Sequence, residues 1–146
     1  MRGYYGIGIF HPKTEVNVGT LWRSAFSLDA LFIFTIGKRY EKQSSDTTAT
    51  WRHIPLYHYT SFEEFNNYRP YDCKLIGVEI SEKSIPIKNF IHPQRCIYLL
   101  GAEDHGLPNY VLEKCQYVIE IPSRFCLNVS TAGSIVMFDR INKGEK

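Results

Sequence analysis

No stretch of this chain approaches the roughly 18 consecutive apolar residues of a membrane-spanning helix, and its first residues lack the basic-then-apolar pattern of a secretory signal. A soluble, cytoplasmic protein is expected. Cysteine is sparse: Cys73, Cys96, Cys115 and Cys126 include no close pair, which excludes a zinc ribbon or a redox dithiol and favours reduced thiols. The five histidines, His11, His53, His58, His92 and His105, show no metal-ligand spacing, so no metal is expected. Excess charge is missing too, because a net charge of +2 does not by itself announce a polyanion partner. A Gly-x-Gly-x-x-Gly after a strand is absent, Gly3, Gly6 and Gly8 lying at or before the first apolar run. There is no Walker-type Lys-Ser/Thr loop, no internal repeat and no low-complexity tract.

What is present suits one compact domain, residues 1–146, with 44% hydrophobic and 22% charged side chains. The charge is uneven: residues 1–60 hold seven Lys/Arg against four Asp/Glu, and residues 61–146 hold ten against eleven. A polyanion would favour the first part, where Lys13, Arg23, Lys38, Arg39, Lys42 and Arg52 lie among Tyr40 and Trp51. Residues 38–53, KRYEKQSSDTTATWRH, are polar and aperiodic and read as a long loop.

Five short apolar runs, YGIGIF, ALFIFTIG, CKLIGVEI, CIYLLGA and YVIEIPS, read as buried strands. Between them, NVGTLWRSAFSL, SFEEFNNY and PNYVLEKC read as helices, with Pro108 placed where a first helical turn tolerates it. The alternation predicts an α/β fold, a mainly parallel sheet with helices on both faces. A last helix puts Val129, Ala132, Gly133, Val136, Met137 and Arg140 on one stripe, while Ile135 and Phe138 make other sides apolar. It should be deeply packed, with Ala132 and Gly133 permitting close approach of another element such as a second subunit.

Ligands of open parallel sheets sit beyond the carboxyl ends of the strands. Three such places are unusual. After the first strand, Gly19 and Arg23 share a helix face with Asn17 at its start, which suits an anion; a capping Asn17 and a surface Arg23 are the alternative. After the fourth, LLGAEDHGLP has glycines on both sides of an acidic pair, with Glu103 a base, an acceptor or a cap. After the fifth, IPSRFCLNVS carries Asn128 and Ser130 to the mouth of the apolar last helix, either of which would cap it.

In this order, N-V-G-x-x-x-R-x-A, L-L-G-A-E-x-x-G-L and I-P-S followed by C-L-N-V-S resemble the three motifs of the SpoU class of SPOUT RNA methyltransferases. The resemblance spans roughly residues 7–141. It implies a deep trefoil knot near the C-terminus, a homodimer whose active site draws on both subunits, S-adenosylmethionine as cofactor, and methyl transfer to a ribose 2′-hydroxyl. Carried over by position, Leu100, Gly101, Gly106, Ile121, Cys126 and Leu127 would surround the cofactor, with Val78 and Glu79 as another wall. Glu103, Asn128 and Ser130 would shape the knot loops and touch cofactor or substrate. Asn17 and Arg23 would face the RNA, joined by Lys13, Lys38, Arg39 and Arg52.

Arginine stays protonated at ordinary pH, so Arg23 is better suited to hold a phosphate and stabilise the oxygen as it gains charge than to act as a base. Cys126 stands where many relatives have Ser, and Asp29 where they often have Gly at a helix end. With no RNA-binding extension before the first strand, the chain is similar to the smallest members, some of which modify the wobble ribose of tRNA. A non-catalytic RNA-binding relative and a methyltransferase for another acceptor are the alternatives.

Overall fold

The computed structural model describes residues 3–39, 50–102 and 105–144, together with the backbone but not the side chain of Trp51. Tyr40, Lys42, Glu103 and most of the loop expected over 38–53 lie outside them. The elements are β1 (Tyr4–Phe10), α1 (Glu15–Ser27), β2 (Phe32–Ile36), β3 (Leu56–Tyr59), α2 (Phe62–Tyr68), β4 (Lys74–Val78), β5 (Ile85–Pro86), β6 (Arg95–Gly101), α3 (Asn109–Leu112), β7 (Tyr117–Glu120) and α4 (Val129–Gly144). The strands form one sheet in the order β3-β2-β1-β6-β4-β7-β5, with every neighbouring pair parallel.

Five strands were legible as apolar runs. The other two are β3, an edge strand with the pattern LYHY, and β5, two residues ending in Pro86; neither is long or apolar enough to show. Both sheet faces are covered. Along β6, Cys96, Tyr98 and Leu100 join a core with α1 and α4, while Ile97 and Leu99 join a second core with α2 and α3. Along β1, Tyr5, Ile7 and Ile9 face the first core. Gly6 and Gly8 leave room for rings of β2: a methyl group there would lie 2.3 Å from Phe32 and 2.5 Å from Phe34.

The start of α1 differs from expectation. Thr14 is its cap, its side chain accepting from the Asn17 N–H at 3.3 Å, so Asn17 is a buried residue inside the first turn. At the other end Asp29 adopts φ 67°, the left-handed conformation that Gly adopts freely and Asp tolerates. Pro108 precedes α3 as its cap residue rather than entering the first turn.

Helix α4 is less enclosed than its sequence suggested: Val129, Gly133, Val136 and Met137 are buried, but Ile135 is 37% and Phe138 59% exposed. Gly133 serves the chain's own packing, since a Cβ there would sit 2.5 Å from Leu21 and 3.0 Å from Leu100.

The end of α4 is held against residues 87–94 by polar contacts. Arg140 donates to the carbonyls of Pro93 (2.7 Å) and Gln94 (2.8 Å). Lys143 donates to those of Ile87 (2.6 Å) and Phe90 (2.9 Å) and pairs with Asp139 at 2.9 Å. His92 bridges Tyr98 Oη (2.6 Å) and Asp139 Oδ2 (2.7 Å). The carboxylate calls for a proton on Nε2, so Nδ1 accepts from the Tyr98 hydroxyl, which in turn accepts from Arg140 at 3.2 Å.

Burial lowers the His92 pKa and outweighs the hydrogen bond to Asp139; the charges of Lys143 and Arg140 lower it further. His92 is therefore the neutral partner of Asp139. The unfolded chain takes up a proton near pH 6.5 and the folded chain only below that, so this contribution is complete at higher pH and lost as pH falls below about 6.5. Thermal melts between pH 5 and 8 should show His92→Gln abolishing part of the wild-type loss of stability on acidification.

Candidate active site

In this topology the carboxyl ends of β1, β6, β4 and β7 lie side by side, with α1 leaving the end of β1 and α4 entering beyond β7. A cavity of about 480 Å³ opens there. Its walls include Val78, Glu79, Leu100, Gly101, Gly106, Ile121, Cys126 and Leu127, every described residue assigned to the cofactor from sequence. Glu103, the ninth, is outside the described residues.

The cavity is shaped by close backbone packing. Gly106 has φ +61° and donates its N–H to the Ala102 carbonyl at 2.9 Å, folding the segment after β6 back on itself. A Cβ on Gly101 would lie 2.5 Å from the Gly106 carbonyl carbon, and one on Gly106 would lie 1.9 Å from Glu79 Oε2. Glu79 is occupied in holding this turn: Oε2 accepts from the Leu107 N–H at 2.8 Å and Oε1 from the Ile80 N–H at 3.0 Å. It is thus a wall of the cavity whose acceptors face the chain itself.

Asn128 caps α4. Its Oδ1 accepts from Ser130 N (2.9 Å), Ser130 Oγ (2.6 Å) and Thr131 N (3.2 Å), while its Nδ2 donates to Asn17 Oδ1 at 2.9 Å. The capping role and the role at the site are the same interaction, linking residues 111 positions apart. Asn17, Asn128 and Ser130 therefore form one cluster beside Leu127 and Val129, which line the cavity.

Arg23 does not line the cavity. It is exposed, lacks a partner among the described residues, and lies about 9 Å along α1 from Asn17. The other cations do not share one place: Lys13, Lys38 and Arg39 follow the carboxyl ends of β1 and β2, whereas Arg52 precedes β3 at the opposite edge. All four are exposed. Beside them His58, bonded to Thr35 Oγ1 at 3.1 Å, has its pKa lowered by burial and then by the charge of Arg39.

Sequence reasoning missed Ser81, Glu120 and Ser123 on the cavity wall. Only their places at or just beyond strand ends could have pointed to them. Ser81 Oγ is the only buried side-chain oxygen or nitrogen among the described residues with no hydrogen-bond partner. A second cavity, about 570 Å³, lies at the opposite edge of the sheet, but its Arg140 and Lys143 are committed to loop carbonyls.

Residues 6–138 match the model of the SpoU rRNA methylase family. The chain belongs to this family. No curated protein sequence matches it significantly. Among solved structures, an AdoMet-bound rRNA methyltransferase from Sinorhizobium meliloti is 19% identical with a TM-score of 0.88, over 100% of this chain and 59% of that one. The SpoU methyltransferase AviRb from Streptomyces viridochromogenes, in complex with the cofactor AdoMet, is 21% identical with a TM-score of 0.85, over 98% and 61%. A structure concerned with the 2-OH methylation of C/U34 on tRNA is 19% identical with a TM-score of 0.81, over 97% and 96%. This SpoU-family chain thus spans about three fifths of the first two relatives and nearly all of the third, and shares their fold.

The cavity suits an adenosyl group. Val78, Leu100, Ile121 and Leu127 give the lining an apolar part that suits a base, and Ser81, whose hydroxyl is buried without a partner, belongs to the same lining. If the glycine contacts maintain this shape, Gly101→Ala should lower the unfolding free energy by about 1–3 kcal/mol. Ser123→Ala, on the open wall, should change it by less than about 0.5 kcal/mol. Urea titration measures both.

Proposed function

We propose that this SpoU-family chain is an S-adenosylmethionine-dependent RNA methyltransferase that acts on a ribose 2′-hydroxyl, and that its substrate is tRNA rather than rRNA. The observation that carries the reading is the convergence of the second and third motif segments on one cavity at the carboxyl edge of the sheet, with the first tied to the third by the bond from Asn128 to Asn17. The tRNA preference is supported by the likeness in fold to the structure concerned with the 2-OH methylation of C/U34 on tRNA.

The sulfonium of the bound cofactor supplies an activated methyl group, so the protein need mainly align acceptor and donor. Val78, Leu100, Ile121 and Leu127 hold the base, and the turns at 101–107 and 121–127 enclose the rest. Asn128 and Ser130 fix the start of α4. Arg23, permanently cationic, holds the RNA phosphate and stabilises the 2′-oxygen as it becomes nucleophilic. Lys13, Lys38 and Arg39 extend the cationic surface along the same edge for the rest of the strand.

A homodimer belongs to this reading. Val16 is 66% exposed and shares a face of α1 with Arg23 two turns on, and Ile135 and Phe138 are exposed on α4, the helix bonded to α1 through Asn128–Asn17 and Ser134–Ser24. Pairing through this face would bring Arg23 of one subunit to the cavity of the other. The trefoil knot is proposed on the same grounds and is supported by the bonds from Arg140 and Lys143 to residues 87–94, the segment that α4 would thread. A cytoplasmic location follows only from this reading.

Arg23→Ala should reduce methyl transfer to tRNA by about 100- to 1,000-fold while leaving calorimetric affinity for S-adenosylmethionine unchanged. Ribose-methylation mapping identifies the nucleotide. Wild-type protein that binds the cofactor but methylates no RNA would favour the non-catalytic relative or another acceptor.

A further inference from the structure

Ser81 stands in the turn that follows β4, on the wall of the cavity at the carboxyl edge. Its main chain is satisfied locally: its N–H donates to Ser84 Oγ at 3.1 Å, and its carbonyl accepts from Ser84 Oγ at 2.7 Å and from the Ser84 N–H at 3.2 Å. Its own hydroxyl bonds to nothing and is shut off from water. Such a group destabilises the folded chain, and alanine at this position would remove the cost without leaving a hole. A serine here is accounted for by a partner that arrives from outside the chain. Ser81 belongs to the lining of the cavity, so rotation about χ1 is the motion by which its hydroxyl would meet a ligand there.

We infer that Ser81 is a cofactor-binding residue whose hydroxyl hydrogen-bonds a ribose hydroxyl of the adenosyl cofactor, an inference that rests on the reading of the cavity given above. The surroundings select that part of the ligand. Glu120 lines the same wall, with its carboxylate bonded to Ser84 Oγ, and Glu79 lies nearby, so a carboxylate from the ligand's amino-acid tail would meet like charge. The base is better placed in the apolar slot of Val78, Leu100, Ile121 and Leu127. A sugar hydroxyl both donates and accepts, and so fits between a serine and a carboxylate.

The test is calorimetry of wild type and Ser81→Ala with two ligands, S-adenosylhomocysteine and 5′-methylthioadenosine, which share the ribose but not the amino-acid tail. The melting temperature of each protein without ligand is measured alongside. Ser81→Ala should weaken both ligands by the same factor, about 3- to 10-fold, with the unliganded melting temperature at or above that of wild type. Unchanged affinity for both ligands would overturn the inference and leave the cofactor reading intact. Loss confined to S-adenosylhomocysteine would overturn the ribose assignment, because the contact would then lie on the tail. A lower melting temperature without ligand would make Ser81 structural and overturn it as well. A wild type that binds neither ligand would overturn the cofactor reading and this inference together.

Discussion

The site depends on where α4 begins, and a single amide side chain sets that point. Asn128 uses its oxygen to cap the first turn of α4 and its nitrogen to hold Asn17, in the first turn of α1. A helix start has unpaired N–H groups that need an acceptor, so the cap is a local necessity. The donation to Asn17 converts it into a long-range restraint. Through it the last crossover of the chain, residues 121–128, is held against the carboxyl edge where β1, β6, β4 and β7 end.

The second constraint is steric. A parallel sheet collects its loops at one edge, but a cavity forms only if those loops pack closely without filling the space. Gly101 and Gly106 bring backbone against backbone, and Glu79 ties the resulting turn to the end of β4. Glu79 thereby acts as scaffold, while Ser81, His105, Asn109, Glu120 and Ser123 are the other polar side chains of the wall. The opposite edge is built differently: there His92, Asp139, Arg140 and Lys143 spend their bonding capacity on one another, on Tyr98 and on loop carbonyls. One edge is a lock on the end of α4 and the other an open site.

Much of this was legible in the sequence. The five interior strands are covered on both faces and therefore read as apolar runs, and the motif segments fall where those runs end. The two edge strands were not legible, since β3 is a half-exposed LYHY with no apolar run and β5 has two residues. The alternative of a capping Asn17 does not hold, because Thr14, three residues earlier, is the cap, and the side-chain partner of Asn17 is Asn128, 111 residues away, which no local pattern reveals. The close approach expected at Gly133 is present, but a small residue in a helix does not reveal which neighbour it admits; here it admits Leu21 and Leu100 of the same chain. Ser81 left no trace, because an unpartnered hydroxyl is a property of three-dimensional surroundings alone.

The central claim is that the segments after β4, β6 and β7 form a single binding site for an adenosyl ligand. Hydrogen–deuterium exchange with and without S-adenosylhomocysteine tests it most directly. Slower exchange should appear together at residues 78–84, 100–107 and 121–130 and be absent from residues 87–94. Exchange unchanged at saturating ligand, or slowed only around residues 87–94, would contradict it.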